Sequence, residues 1–168
     1  MEIERKFLIQ GFLEGTPVKT YEMLQGYLSW DPVVRIRSRA SGSQSDYKLC
    51  VKGKGTLVRR ELELPLSGEQ FGQLCELLPA PPVHKVQRVY RIAQSLFLEC
   101  NCVNPGTALE FWYAEVEFDS VEQANGFVPP PYLGTELTHC SGFTMSDYCR
   151  DPQAFLAHLR EFLDKGRA

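Results

Sequence analysis

The sequence predicts an α+β fold in which an antiparallel sheet closes, or nearly closes, into a barrel with flanking helices. Apolar and polar residues alternate along several segments, and that alternation is the period of a β-strand. Short glycine turns such as 53–55 separate neighbouring segments and favour antiparallel pairing. Apolar residues with helical spacing occur at 67–78, after 120 and at 151–166.

Eight segments are expected to form strands, because apolar side chains alternate in them with polar or charged ones. They are residues 1–9, 21–30, 33–39, 46–52, 57–66, 86–92, 96–103 and 112–118. In segment 33–39 the pattern is clear, since Val34 and Ile36 share one face and three arginines share the other. Each strand therefore offers one face to a core and the other to solvent or a ligand.

Three helices are expected from their end signals. A capping-box pattern occurs at 67–70 and again at 120–123, where a serine precedes a glutamine by three residues. Asp151 and Pro152 suit the cap and the first position of the last helix, and Gly166 suits its end.

Length and composition limit the classes of function. A chain of 168 residues fits a single domain over 1–168, and its 18 Lys+Arg against 21 Asp+Glu argue against a nucleic-acid partner. It has no apolar run of about 20 residues and no signal peptide, so we expect no membrane contact and a cytoplasmic location. The six cysteines are expected to be free thiols there. The oligomeric state stays open, a homodimer included.

The first strand carries three charges on one face, namely Glu2, Glu4 and Lys6. Two carboxylates side by side suit a hard divalent cation, and a lysine beside them suits an anionic oxygen of a ligand. Taken alone, this pattern is more typical of a solvated sheet face.

The same charged face recurs along the chain. Full charges, sorted by strand, replace the serine, threonine and glutamine of an ordinary solvated face. The groups are Glu2/Glu4/Lys6, Arg35/Arg37/Arg39, Lys48/Lys52, Arg59/Glu61/Glu63 and Glu115/Glu117. A barrel of about eight strands encloses a narrow interior, and burying so many charges there requires pairing or a charged ligand. The pattern therefore predicts a phosphate-rich ligand together with a divalent metal.

The chain resembles the CYTH superfamily of triphosphate tunnel metalloenzymes. The name-giving Glu-x-Glu-x-Lys motif is Glu2-Ile3-Glu4-Arg5-Lys6, and further matches follow in order over nearly the whole chain. They are 25–28 (Gln-Gly-Tyr-Leu), 34–37 (Val-Arg-Ile-Arg), 51–53 with Arg59-x-Glu61-x-Glu63, Arg88, Glu99, 114–118 (Ala-Glu-Val-Glu-Phe) and 129–138.

The resemblance implies an eight-stranded antiparallel tunnel that binds triphosphate with Mg²⁺ or Mn²⁺. Short members are often inorganic triphosphatases, which makes hydrolysis of tripolyphosphate the leading expectation. Hydrolysis of thiamine or nucleoside triphosphates, cyclisation of ATP, and non-catalytic polyphosphate binding are the alternatives. Trp30 could be a stacking platform for an organic ring, although a core tryptophan is the more common case.

The resemblance also assigns roles to individual residues. The phosphate-binding set is Lys6, Arg35, Arg37, Lys52, Arg59 and Arg88, with Lys85 as a further candidate. The metal-binding set is Glu2, Glu4, Glu61, Glu63, Glu115 and Glu117. Lys6, Glu4 and Glu61 are the expected catalytic residues, and Lys6 could move a proton if neighbouring cations lower its pKa.

Two positions depart from the family pattern. The family commonly has Lys-x-Arg in the strand of Arg88, and here Val86 stands at the lysine position. Lys85 is one residue away and would need a strand slip or a bulge to point inward. The family also often has an acidic residue at the position of Asn101, which can offer a metal only a neutral carbonyl oxygen.

Overall fold

The computed structural model describes residues 2–166, which form nine strands and four helices. Met1, which was expected to begin the first strand, lies outside the described residues. The strands are β1 Glu2–Leu8, β2 Lys19–Trp30, β3 Val33–Ser41, β4 Gln44–Lys52, β5 Val58–Arg59, β6 Glu61–Leu66, β7 Val83–Arg91, β8 Phe97–Val103 and β9 Phe111–Glu117. The helices are α1 Gly68–Cys75, α2 Val121–Gly126, α3 Met145–Arg150 and α4 Pro152–Lys165.

The strands form one antiparallel sheet in the order β5-β1-β9-β8-β7-β2-β3-β4-β6. Its two ends, β5 and β6, are separated in the chain by Arg60 alone. The segment 57–66, predicted as one strand, thus pairs with β1 through its first part and with β4 through its second. This bent strand curls the sheet into a barrel and explains why nine strands stand where eight were predicted. The predicted α+β class and antiparallel barrel are confirmed.

The outer face of the barrel beside β1, β8 and β9 carries a hydrophobic core. Phe7, Leu98 and Val116 are almost fully buried there, together with Ala124 of α2. Arg5, which alternates with the inward charges of β1, also points outward and binds both carboxylate oxygens of Glu136 at 2.8 and 2.6 Å. The segment after α2 therefore binds to the outer face of β1 through Glu136. Glu2, Glu4 and Lys6 occupy the inner face of the same strand.

Helices α3 and α4 close one end of the barrel, which we call the helical end. The inward aromatic side chain of Phe111 packs against Tyr148 and Phe155, with ring centroids 5.9 and 5.0 Å apart. Tyr27 and Val103 belong to the same buried cluster. Apolar side chains thus fill the helical end, whereas the charged side chains lie farther along the interior.

The predicted helix caps are confirmed. The Ser67 hydroxyl accepts the backbone N–H of Gln70 at 3.1 Å, and the Ser120 hydroxyl accepts that of Gln123 at 3.1 Å. The Asp151 carboxylate accepts the N–H of Ala154 at 3.0 Å at the start of α4. Helix α3 was not predicted, although Thr144 and Asp147 form a capping box at its start. Within residues 2–166, no helix combines the length and the apolar character needed to cross a membrane.

We expect Phe155→Ala to destabilise the fold strongly, because Phe155 is only 4% exposed and joins α4 to the barrel. The loss of its buried ring should lower the free energy of unfolding by about 3–5 kcal/mol in urea denaturation. Leu77→Ala is the control, since Leu77 is 70% exposed and should cost no more than about 0.5 kcal/mol. A loss below about 1 kcal/mol for Phe155→Ala would show that α4 does not hold the helical end closed.

Candidate active site

The barrel encloses a cavity of about 580 Å³ whose wall is densely charged. Eight basic side chains line it: Lys6, Arg35, Arg37, Arg39, Lys48, Lys52, Arg59 and Lys85. Seven carboxylates also line it: Glu2, Glu4, Glu61, Glu63, Glu99, Glu115 and Glu117. Because the two sets nearly balance, ion pairs inside the barrel can offset much of the cost of burying them.

Most of the residues predicted for the site lie around this cavity. All six predicted carboxylates line it, as do six of the seven predicted cations. The exception is Arg88, whose guanidinium lies 4.2 Å from the ring centroid of Phe12 and is not part of the wall. The prediction that Arg88 reaches the ligand is therefore wrong.

Lys85 takes the inward position on β7 without any irregularity of the strand. The β7–β8 register runs unbroken from Lys85 opposite Val103 to Arg91 opposite Phe97. Lys85 is 4% exposed, and its Nζ donates to the Tyr113 hydroxyl at 3.1 Å. The expected slip or bulge does not exist, because the inward series of β7 is Val83, Lys85, Gln87.

Arg59 connects the bent strand to the first strand. Its guanidinium donates to Glu2 and to Glu4, and Lys52 adds a contact to Glu2 at 3.2 Å. Burial alone would raise the pKa of Glu2, but the charges of Lys52 and Arg59 outweigh it and lower the pKa to about 2. Glu2 is therefore a fixed anion at neutral pH.

Lys6 forms an ion pair with Glu115 at 3.1 Å in the buried interior. Burial opposes the charged form, but Glu115 and Glu4 outweigh it and raise the pKa of Lys6 above its ordinary value. The condition on which Lys6 was expected to move a proton is thus not met. Lys85 is the cavity lysine whose pKa is lowered, to about 8, by burial together with the nearby Arg37 and Arg35, which outweigh Glu115.

Carboxylates lie directly opposite one another at two places in the sheet. Glu4 is the cross-strand partner of Glu117, and Glu115 that of Glu99. Like charges in such positions repel each other. Burial and the neighbouring Glu115 raise the pKa of Glu4 to about 7, and burial and Glu99 do the same for Glu117. Although Lys6 pairs with Glu115 and Arg59 with Glu4, this side of the cavity is crowded with carboxylate oxygens, which suit a hard divalent cation.

A second group of donor atoms lies on β4 and β6. Glu61 contacts Lys52 at 3.1 Å and Arg35 at 3.6 Å, and it accepts a hydrogen bond from the Cys50 thiol at 2.6 Å. Among residues 2–166, the Cys50 sulfur and a carboxylate oxygen from each of Glu61 and Glu63 all lie within 4.8 Å of one another, which is close enough to share a metal ion. The six predicted metal ligands thus form two groups, one along β1 and β9 and the other along β6.

Two arginines of β3 retain an unused donor. The Nε atoms of Arg35 and Arg37 are buried and have no hydrogen-bond partner within the described part of the chain. Buried N–H groups are almost always paired in folded proteins. Both residues line the cavity, so these donors are placed to bind an anion.

Trp30 does not line the cavity. It stacks on Tyr27 with centroids 5.4 Å apart, and the guanidinium of Arg150 lies 5.0 Å from its ring centroid. It packs against the aromatic cluster of the helical end. Of the two interpretations of Trp30, the structure favours the core tryptophan.

Several cavity residues were absent from the predicted set. Gln25 and Tyr27 of β2, Gln87 of β7 and Tyr113 of β9 follow the same alternation as their charged neighbours, so the period of two could have found them. Thr144 and Ser146 also line the cavity. They come from the start of α3, and no strand pattern points to them.

Comparison with known proteins gives a consistent result. The inorganic triphosphatase of Nitrosomonas europaea is 32% identical over 137 residues, which cover 82% of this chain and 89% of that protein. A crystal structure of an inorganic triphosphatase superposes with a TM-score of 0.60 at 26% identity and covers 89% of this chain and 94% of its own. A putative adenylate cyclase from Bacillus halodurans shares the fold at 15% identity, with a TM-score of 0.50 over 74% of this chain and 84% of its own. No family model matches the chain.

The chain belongs to the CYTH superfamily. The match to the curated relative spans most of both proteins, and the solved structures share the barrel. The resemblance based on ordered motifs is therefore confirmed.

The inward register of β7 changes how this CYTH chain departs from its superfamily. Lys85 and Gln87 are inward residues of β7 that line the cavity, whereas Val86 and Arg88 alternate with them and do not line it. Gln87 lies opposite Asn101, which stands where an acidic residue is common. The Gln87 amide donates to Glu99 at 2.9 Å and to Asn101 at 3.0 Å, and Asn101 donates to the backbone carbonyl of Glu99 at 3.0 Å. A neutral amide pair thus holds Glu99 in place.

We expect Gln87 and Asn101 to be energetically coupled. Asn101→Asp alone should lower the free energy of unfolding by about 1–3 kcal/mol, because it adds a buried carboxyl group beside Glu99. Adding Gln87→Arg should restore most of that loss, because the new guanidinium pairs with the new carboxylate. Urea denaturation of both single variants and of the double variant forms a double-mutant cycle. Additive effects within about 0.5 kcal/mol would contradict the coupling.

Proposed function

We propose that this protein hydrolyses inorganic triphosphate inside the barrel, with the help of Mg²⁺ or Mn²⁺. The observation that carries the proposal is the pair of buried, unpartnered Nε donors of Arg35 and Arg37, two residues that line a cavity whose wall also holds crowded carboxylates. Anion-binding donors beside a cation-binding surface suit a metal-bound polyphosphate. The relative from Nitrosomonas europaea, an inorganic triphosphatase, supports the choice of substrate.

The phosphate groups would be held by the basic side chains of the wall. This set is Lys6, Arg35, Arg37, Lys52, Arg59 and Lys85. Arg35 and Arg37 contribute the unused donors, whereas Lys6, Lys52 and Arg59 would exchange a carboxylate partner for a phosphate oxygen. Charge-assisted bonds of this kind are stronger than neutral ones, and a buried site strengthens them further.

The carboxylates along β1 and β9 would hold the metal ion. Glu4, Glu115 and Glu117 are the principal candidates, and Glu2 lies beside Glu4 on the same strand face. An all-oxygen donor set favours Mg²⁺ or Mn²⁺. When bound, the ion would withdraw charge from phosphate oxygens and so stabilise the transition state. Glu61 and Glu63, on the other strand, extend the predicted set.

The protein's own residues can also serve the hydrolytic step. Glu4 lines the cavity among these carboxylates and can accept a hydrogen bond or a proton from the attacking water. Glu61 is held by Lys52 and Arg35 and can orient that water. Lys6 keeps its positive charge and can stabilise charge on the transferred phosphoryl group, which is the main source of catalysis in phosphoryl transfer.

We further infer a cytoplasmic location. All six cysteines are free, and Cys50, Cys100, Cys102 and Cys149 are buried. Unpaired thiols are typical of proteins in a reducing compartment.

The proposal predicts phosphate release from tripolyphosphate with Mg²⁺ or Mn²⁺ and none with EDTA. Turnover of ATP and thiamine triphosphate should be slower, because Trp30, the candidate platform for an organic ring, does not line the cavity. Glu4→Gln should abolish turnover and leave the free energy of unfolding within about 1 kcal/mol, because glutamine keeps the shape of the side chain and burying the charge is itself unfavourable. The measurements are phosphate release and urea denaturation.

Glu69→Gln on exposed α1 is the matched control and should keep full activity. Tripolyphosphate binding without turnover by the unmodified protein would instead indicate a polyphosphate-binding barrel. Formation of cyclic AMP from ATP would indicate a cyclase. Normal activity in folded Glu4→Gln protein would refute the role of Glu4.

The corrected register of β7 gives a second test of the site. Lys85→Ala should weaken tripolyphosphate binding about tenfold or more, because it removes a buried cation from the cavity. Arg88→Ala should change affinity less than about twofold, since Arg88 stacks on Phe12 away from the cavity. Isothermal titration calorimetry of both variants decides the point, and the opposite ranking would restore the original assignment of Arg88.

A further inference from the structure

Gln25 is a buried polar side chain without a partner. It lies on the inner face of β2 between Met23 and Tyr27, is 1% exposed, and lines the cavity. Neither its Nε2 nor its Oε1 has a hydrogen-bond partner within residues 2–166. An amide left unpaired in a buried site is unfavourable by about 1–3 kcal/mol, so such groups are rare unless a ligand or water completes them.

The protein groups around Gln25 do not complete its bonding. Its cross-strand neighbours are Arg37 on β3 and Val83 on β7. The thiol of Cys149 is also close, and Gln25 partly offsets the rise that burial causes in the pKa of that thiol. The amide nevertheless makes no hydrogen bond of regular geometry with it.

The position of Gln25 is deep in the cavity, next to the helical end. Tyr27, one inward position farther along β2, already belongs to the aromatic cluster closed by α3 and α4. The neighbouring strands bring basic side chains to this depth, with Arg35 opposite Tyr27, Arg37 opposite Gln25, and Lys85 opposite Met23. On β9, Tyr113 lies nearer the helical end than Glu115 and Glu117, so the carboxylates lie farther out.

We propose that Gln25 binds the terminal phosphoryl group of a linear polyphosphate that enters with one end toward the helical end. This inference rests on the proposed function and adds the orientation of the substrate. The Nε2 of Gln25 would donate to a non-bridging oxygen, for which Arg35 and Arg37 also hold unused donors. The Oε1 would accept from the hydroxyl of a monoprotonated terminal phosphate, a group that an internal phosphate of the chain does not have.

The test is Gln25→Met, which keeps length and flexibility but removes both polar atoms. Titration with tripolyphosphate in the absence of metal should show binding weakened about five- to tenfold. The melting temperature of the ligand-free variant should stay the same or rise, because an unpaired amide is removed. Gln73→Met, on the exposed face of α1, is the control and should change neither quantity.

Gln25→Glu provides a second variant in case Gln25→Met folds poorly. It keeps the shape of the side chain but replaces the donor with a carboxyl group, so tripolyphosphate binding should weaken by about tenfold or more. Unchanged affinity in both variants, or a lower melting temperature without loss of affinity, would assign Gln25 a structural role and overturn the inference. Failure of the unmodified protein to bind tripolyphosphate would instead overturn the proposed function itself.

Discussion

Charge balance inside a closed β-barrel is the constraint on which this structure depends. A buried ion that has no partner is strongly unfavourable, so each inward charge needs a counter-charge from another strand or from a ligand. The wall nearly meets this requirement in total, with eight basic groups and seven carboxylates. Charge is not balanced locally, because carboxylates lie opposite carboxylates on neighbouring strands. Glu4 lies opposite Glu117, and Glu115 lies opposite Glu99.

The local imbalance is what makes the interior a binding site. On one side, the buried Nε donors of Arg35 and Arg37 have no acceptor within residues 2–166, and on the other, burial and neighbouring carboxylates raise the pKa of Glu4 and Glu117 to about 7. A polyanion with a bound divalent cation would satisfy both groups, because its oxygens would accept from the arginines and its cation would bind the carboxylates. Gln25 lies at the deep end of the cavity. Its side chain is a neutral amide, and both of its hydrogen-bonding atoms lack a partner within residues 2–166.

The bent strand makes this arrangement possible. Because β5 and β6 belong to one segment of chain interrupted at Arg60, Arg59 pairs with β1 and Glu61 pairs with β4. Arg59 thereby reaches Glu2 and Glu4, and Lys52 contacts both Glu2 and Glu61. These ion pairs join side chains from the two ends of the sheet, where the barrel closes. Helices α3 and α4 then fill the helical end with aromatic side chains, so the charged interior continues only in the other direction.

The alternation of side chains along each strand predicted much of the site. It correctly assigned the inward faces of β1, β3, β4 and β9, because each of those segments shows charge on one face and apolar residues on the other. On β7 the inward position of Arg88 was expected from the resemblance alone, because Val83, Lys85, Gln87 and Val89 do not differ enough from His84, Val86 and Arg88 for alternation to identify the inner face. Only pairing with β8 settles that register.

The sequence by itself determined which side chains share a face, because a period of two is a local property of the extended backbone. It also determined the helix caps, which form between residues three apart. Tertiary structure alone decided that Lys85 faces inward and Arg88 outward, that Gln87 pairs with Asn101, and that α3 closes one end. These features depend on contacts between residues distant in the chain, and no local pattern records them.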